Sequence, residues 1–286
     1  MKKIFLFYWL IIGVIVVHAK TINIVAAENF YGKLAQEIGG KYVNVQSIIN
    51  NPDADPHLFT TSPSTIKAIM KAQIIIYNGA DYDNWMNQMI SEIDQSKVTL
   101  INVANLVGVK SGQNPHLWYK NDTFPLLANL LADTIINMNH ESSKEVNKNL
   151  AIFIKDHEKI LNKINDIKSK YANTAVTATE PVYGYMAEAM GLDMKGLDFQ
   201  WAVMNDIEPT PKSVANYQVL LKDKKVKILF YNSQVSNAIT NSMQALAKKN
   251  NIPIVGITET MPDNLTVNKW LLFQIQATAD ALSQIN

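Results

Sequence analysis

The chain has 286 residues, 48% of them apolar, and a formal net charge of +1. It contains no arginine and no cysteine. Disulfides and thiolate metal ligands are therefore excluded. A near-neutral chain without guanidinium groups is also a poor reader of phosphate backbones, so no nucleic-acid partner is expected.

The amino terminus reads as a secretory signal. Lys2 and Lys3 precede an apolar run over residues 4–17, and small residues flank a cleavage point after Ala19. The run is shorter than the roughly 20 residues a spanning helix needs. Residues 1–19 are thus expected to be removed, leaving 24 basic and 25 acidic residues once Lys2 and Lys3 are gone. Without a cysteine at the cleavage point the mature protein is expected to be free, not a lipoprotein. Such a protein is expected in a Gram-negative periplasm.

Residues 21–25 and 42–49 have strand character, with a helical pattern over 30–38 between them that stops at Gly39 and Gly40. Residues 50–64 form a polar loop with three prolines, and residues 65–71 a helix. A buried strand over 72–77 ends at Asn78 and Gly79; a helix over 85–93 and a strand over 97–103 follow. This alternation argues for parallel βαβ units. Residues 124–138 are helical. Residues 142–171 then run without Gly or Pro and would extend roughly 45 Å as one helix. That is too long for a crossover inside a small lobe, so it reads as a spine. Alternation resumes with strands over 175–177, 226–231 and 252–257 and helices over 182–190, 213–221, 235–249 and 267–282. The expected fold is α/β: two lobes with parallel sheets joined by a long rigid backbone helix, with a cleft between them. The expected division is an N-terminal lobe over 20–141, a linking helix over 142–171 and a C-terminal lobe over 172–286.

Four histidines follow the signal. His140 and His157 fall in helical segments and are expected to be solvated surface groups. His57 and His116 share one setting: each follows a proline (Pro56, Pro115) and precedes a leucine and an aromatic residue, in a loop after a strand. Proline stiffens the mount of the imidazole. Two imidazoles alone hold a metal weakly, and a closed site wants about four donors. Glu180 and Glu259 follow strands of the second lobe and are the candidate carboxylates. Asp53 and Asp55 could orient His57 or cap a turn.

These residues resemble the zinc- and manganese-specific solute-binding proteins of bacterial ABC importers. The resemblance rests on Asp55-Pro56-His57 with Ser62-Pro63-Ser64, on Asn78-Gly79 leading to Trp85, on Asn114-Pro115-His116-Leu117-Trp118, on Tyr183-Gly184-Tyr185 and on Glu208-Pro209. It implies two lobes bridged by one helix, and a metal site of His57, His116, Glu180 and a fourth carboxylate. That fourth ligand is usually Asp in the family; here Glu259 matches, with Asp263 as the alternative. The histidine-rich loop of many zinc members has no counterpart in residues 106–113. The implied ligand is one divalent ion, Zn²⁺ or Mn²⁺, with Fe²⁺ also compatible with the donors. The implied partner is a cognate ABC permease in the inner membrane, served by a monomeric protein that is not an enzyme. The rival readings are a metal-dependent hydrolase of the periplasm, against which stands the lack of a His-Glu-x-x-His motif, a metal-binding adhesin, and an organic-solute binder using Trp85, Trp118 and Trp201.

Overall fold

The computed structural model describes residues 21–51, 59 and 61–284. The signal segment, Asp53, Asp55 and His57 lie outside the described residues. The first lobe runs β1 (Ile22–Glu28), α1 (Asn29–Gly39), β2 (Val43–Ile49), α2 (Pro63–Lys71), β3 (Ile74–Tyr77), α3 (Asn84–Ser91), β4 (Thr99–Asn102) and α4 (Val103–Val107). Helices α5 (Thr123–Met138) and α6 (Ser143–Tyr171) follow. The second lobe runs β5 (Ala175–Ala178), α7 (Gly184–Ala189), β6 (Asp193–Lys195), α8 (Leu197–Met204), α9 (Pro211–Lys222), β7 (Leu229–Asn232), α10 (Ala238–Lys249), β8 (Ile254–Ile257) and α11 (Val267–Ser283).

Each lobe holds one four-stranded parallel sheet, ordered β2-β1-β3-β4 in the first and β6-β5-β7-β8 in the second. The orders are the same, displaced by four strands. In each sheet the chain leaves its first strand to one side and returns on the other. The switch points are thus β1/β3 and β5/β7, where crevices open beyond the strands' carboxyl ends. Parallel sheets are covered on both faces, which accounts for the apolar stretches 24–27 of β1 and 74–76 of β3.

The spine expected between the lobes is α6, 29 residues long. Its buried positions are Val146, Phe153, His157, Ile160, Ile164 and Ile167, a stripe at three- and four-residue spacing. His157 therefore faces the core: it is 3% exposed, not solvated as expected. Its ring stacks on Phe153, Nδ1 lies 2.9 Å from Asn268 Oδ1, and Nε2 lies 3.3 Å from the Asn121 carbonyl.

One hydrophobic core runs from Ile22 in β1 to Leu282 in α11 and crosses the lobe boundary. Aromatic rings form its middle. Phe30 of α1 lies 4.9 Å from Trp118 and 5.5 Å from Trp270, and Tyr119 lies 4.9 Å from Tyr183, which lies 5.0 Å from Phe230 of β7. Each such pair contributes about 0.5–1.5 kcal/mol beyond its buried area. Trp118 is fully buried here and is a wall of the core rather than a platform for a solute.

Candidate metal centre

His116 stands in the loop after α4 and opens a short helical turn, Leu117–Tyr119. It is fully buried. Its Nδ1 is 2.6 Å from Asn114 Oδ1, and its backbone N–H donates to the same oxygen at 3.1 Å. The Asn114 amide nitrogen donates to the Pro181 carbonyl at 2.8 Å, which fixes the amide's orientation. Nδ1 must then carry the proton, and Nε2 carries the lone pair. Nε2 lies 3.9 Å from Glu259 Oε2. Two donors on one tetrahedral zinc stand about 3.4 Å apart, given bonds of about 2.0–2.2 Å. The observed gap admits an ion after a shift of roughly half an ångström.

Glu180 follows β5 and is 4% exposed; Glu259 follows β8 and is fully buried. Between them, at the end of β7, stands Asn232, 3% exposed. Its Nδ2 donates to Glu180 Oε2 at 3.3 Å and to Glu259 Oε1 at 2.5 Å. The sheet order explains this row, because β7 lies between β5 and β8. The Gln234 side-chain oxygen accepts the N–H groups of Glu259 (2.5 Å) and Thr260 (3.2 Å), holding the loop that carries Glu259.

The first lobe reaches across with Tyr82, whose hydroxyl donates to Glu259 Oε2 at 2.8 Å. Tyr82 is delivered by a turn in which Gly79, Ala80 and Asp81 all have positive φ (75°, 50° and 67°). Two of these are non-glycine residues, for which this region is strained. At Gly79 a Cβ would meet Asn102 Oδ1 at 2.5 Å, so both space and conformation select glycine. Asp83 locks the turn by accepting the N–H groups of Asn78 (2.7 Å) and Gly79 (2.8 Å). Burial raises its carboxyl to about 6, against the pull of those N–H groups. Burial first, and then the charge of Asp83, pushes the fully buried Glu28 well above the usual carboxylate range. Burial and the Glu259 charge likewise push the Tyr82 phenol up, so it stays a donor.

The structure thus brings together three of the four expected residues, His116, Glu180 and Glu259, and the fourth, His57, lies outside the described residues. Asp263 is exposed in the loop beyond Glu259. Among the described residues no three His, Asp or Glu side chains already close into a metal cage. Sequence reasoning missed Asn232 and Tyr82, because both enter the site through sheet order and a strained turn rather than through a motif.

Comparison with known proteins matches residues 24–281 to the family described as ZnuA, zinc-uptake complex component A, periplasmic. The chain is 24% identical over 251 residues to the manganese ABC transporter substrate-binding lipoprotein scaA of Streptococcus gordonii, covering 82% of this chain and 78% of that one. It is 23% identical over 251 residues to the iron ABC transporter substrate-binding lipoprotein MtsA of Streptococcus pyogenes serotype M1, with the same coverage. The periplasmic zinc binding protein TroA from Treponema pallidum shares the fold, with a TM-score of 0.77 and 15% identity over 92% of this chain and 99% of that one. The expectation of a free protein that is not a lipoprotein is contradicted: these relatives are named lipoproteins of streptococci. That expectation leaned on the missing cysteine, which bears on one chemistry of attachment and not on the envelope in which relatives work.

Proposed function

The chain belongs to the family of zinc-uptake complex component A, and from that premise we propose that its cleft captures one divalent transition-metal ion through His57, His116, Glu180 and Glu259. The family is one of transport components rather than enzymes, and the chain is the substrate-binding component of a metal ABC uptake system. The ion is its cargo, Zn²⁺ or Mn²⁺, handed on to a membrane permease by a monomer.

The observation that carries the ligand assignment is the facing of His116 and Glu259. A buried imidazole with its lone pair on Nε2 stands 3.9 Å from a buried carboxylate oxygen of the other lobe. Glu180 is tied to the same carboxylate through Asn232. An amide and a phenol donate to these carboxylates in the contacts above, and a divalent ion would add positive charge between them. Two nitrogens and two oxygens suit a borderline ion, and the ligands must be deprotonated, so acid favours release.

The test is thermal unfolding with and without added metal. An ion at 100 times its Kd adds about 2.7 kcal/mol of stability. His57→Ala and His116→Ala should each remove most of that gain. Absence of any metal-dependent stabilisation in the wild type overturns the reading.

A further inference from the structure

Asn114 forms hydrogen bonds on both sides of the cleft. Its Oδ1 accepts the His116 backbone N–H at 3.1 Å and faces the ring Nδ1 at 2.6 Å. Its Nδ2 donates to the Pro181 carbonyl at 2.8 Å, and its backbone carbonyl accepts the Tyr185 hydroxyl at 2.8 Å. These partners fix the direction of the amide. A carbonyl can only accept and a backbone N–H can only donate, so Nδ2 and Oδ1 cannot be exchanged. Gly184 makes room for the contact, since a Cβ there would meet Asn114 Nδ2 at 2.8 Å. The φ of Gly184 is −56°, open to any residue, so close approach rather than backbone freedom selects glycine.

Pro181 directly follows Glu180, so this one amide ties the ring of a first-lobe candidate ligand to the backbone beside a second-lobe one. A neutral imidazole ligates through Nε2 only in the tautomer whose proton sits on Nδ1, and an acceptor at Nδ1 selects that form. With the lobes together, the Pro181 carbonyl holds the far end of the amide and keeps Oδ1 on Nδ1. With the lobes apart that hold is lost. Nδ2 then turns to water, the amide can rotate, and the imidazole is no longer confined to one tautomer. Resting on the metal-capture reading above, we propose that Asn114 is a positioning residue that couples lobe closure to the ligating form of His116, with Gly184 as the gap that admits it. Closure then strengthens the first-lobe ligand itself, besides bringing the second-lobe carboxylates near.

The experiment reads tautomer and affinity separately in wild type, Asn114→Ala and Gly184→Ala, the last in case the first variant fails to fold. The tautomer is read from the ring-nitrogen NMR shifts of the metal-free protein with the imidazole neutral, a signature that a merely structural role would not move. Zinc affinity is measured by competition with a chelating dye. Wild type is expected to show the Nδ1–H form alone. Asn114→Ala should mix the two forms and lower zinc affinity about tenfold or more, the usual effect of a residue behind a metal ligand. Gly184→Ala changes no atom of Asn114 or His116, yet should mix the forms and lower affinity about threefold or more, as one lost hydrogen bond does. Wild type in the Nε2–H form overturns the proposal. So does a folded variant that keeps the Nδ1–H form alone or falls short of these losses. Wild type that shows the expected tautomer but binds no zinc removes the capture reading itself, a different failure.

Discussion

Tyr82→Phe removes a single oxygen and leaves the ring in place. The lost group is the hydroxyl that donates to Glu259 Oε2 at 2.8 Å across the lobe boundary. Both side chains are buried, Glu259 fully, so water cannot replace the donor without opening the cleft. A hydrogen bond to a charged acceptor contributes about 1.5–3 kcal/mol. Taking about 2 kcal/mol, the melting temperature of the metal-free protein should fall by roughly 4–8 °C. The ring itself should stay packed against Trp118, 4.9 Å away, so no cavity term is added. Saturating Zn²⁺ should narrow the difference between variant and wild type, because the ion becomes the partner of that oxygen. Calorimetry of both proteins, stripped of metal and then loaded, measures both effects. A metal-free variant within about 0.5 kcal/mol of wild type would refute the reasoning, since a buried charged acceptor cannot lose its donor so cheaply.

Three further outcomes follow from other parts of the molecule. Ala80→Gly should raise stability by about 1 kcal/mol, because a left-handed backbone at φ 50° strains alanine and not glycine; unchanged urea unfolding argues against strain in that turn. His157→Phe removes the one donor that a neutral imidazole offers to its two acceptor neighbours, Asn268 Oδ1 and the Asn121 carbonyl, and should lower stability by about 1–3 kcal/mol, read by the urea midpoint. Glu28→Gln should stabilise the fold more at pH 8 than at pH 4. The raised carboxyl retains its proton in the fold; its cost is absent below the ordinary value of 4.5 and grows as pH rises. A gain independent of pH refutes that assignment.

The spine and the two lobes were legible because a 29-residue helix without Gly or Pro and apolar runs of β length leave few alternatives. The second lobe's β6 and α8 were not. Strand β6 is three residues, Asp193–Lys195, with acidic and basic ends and no alternation to read. Helix α8 carries Leu197, Phe199, Trp201 and Val203 around its circumference, so no stripe marks it. His157 was misread from its neighbours Asp156 and Glu158, although its place four residues after Phe153 and three before Ile160 puts it on the buried face. Pro-His pairs and carboxylates after strands marked the candidate ligands. The residues that hold them, Asn232 and Tyr82, become visible only once β7 is known to lie between β5 and β8 and once the turn after β3 is known to twist left-handed.

The segment after β8 also carries a dense set of contacts to the first lobe. Within four residues it takes the Tyr119 hydroxyl on the Thr258 carbonyl, the Tyr82 hydroxyl on Glu259, and a reciprocal pair between the Asn29 amide and the Met261 backbone. Parting the lobes breaks all of these at once and uncovers the aromatic layer beneath. Separating the lobes therefore requires this short loop to release several first-lobe partners together. The amide proton of Met261, held by the Asn29 side-chain oxygen of the first lobe, is the probe whose exchange with solvent reports parting of the lobes.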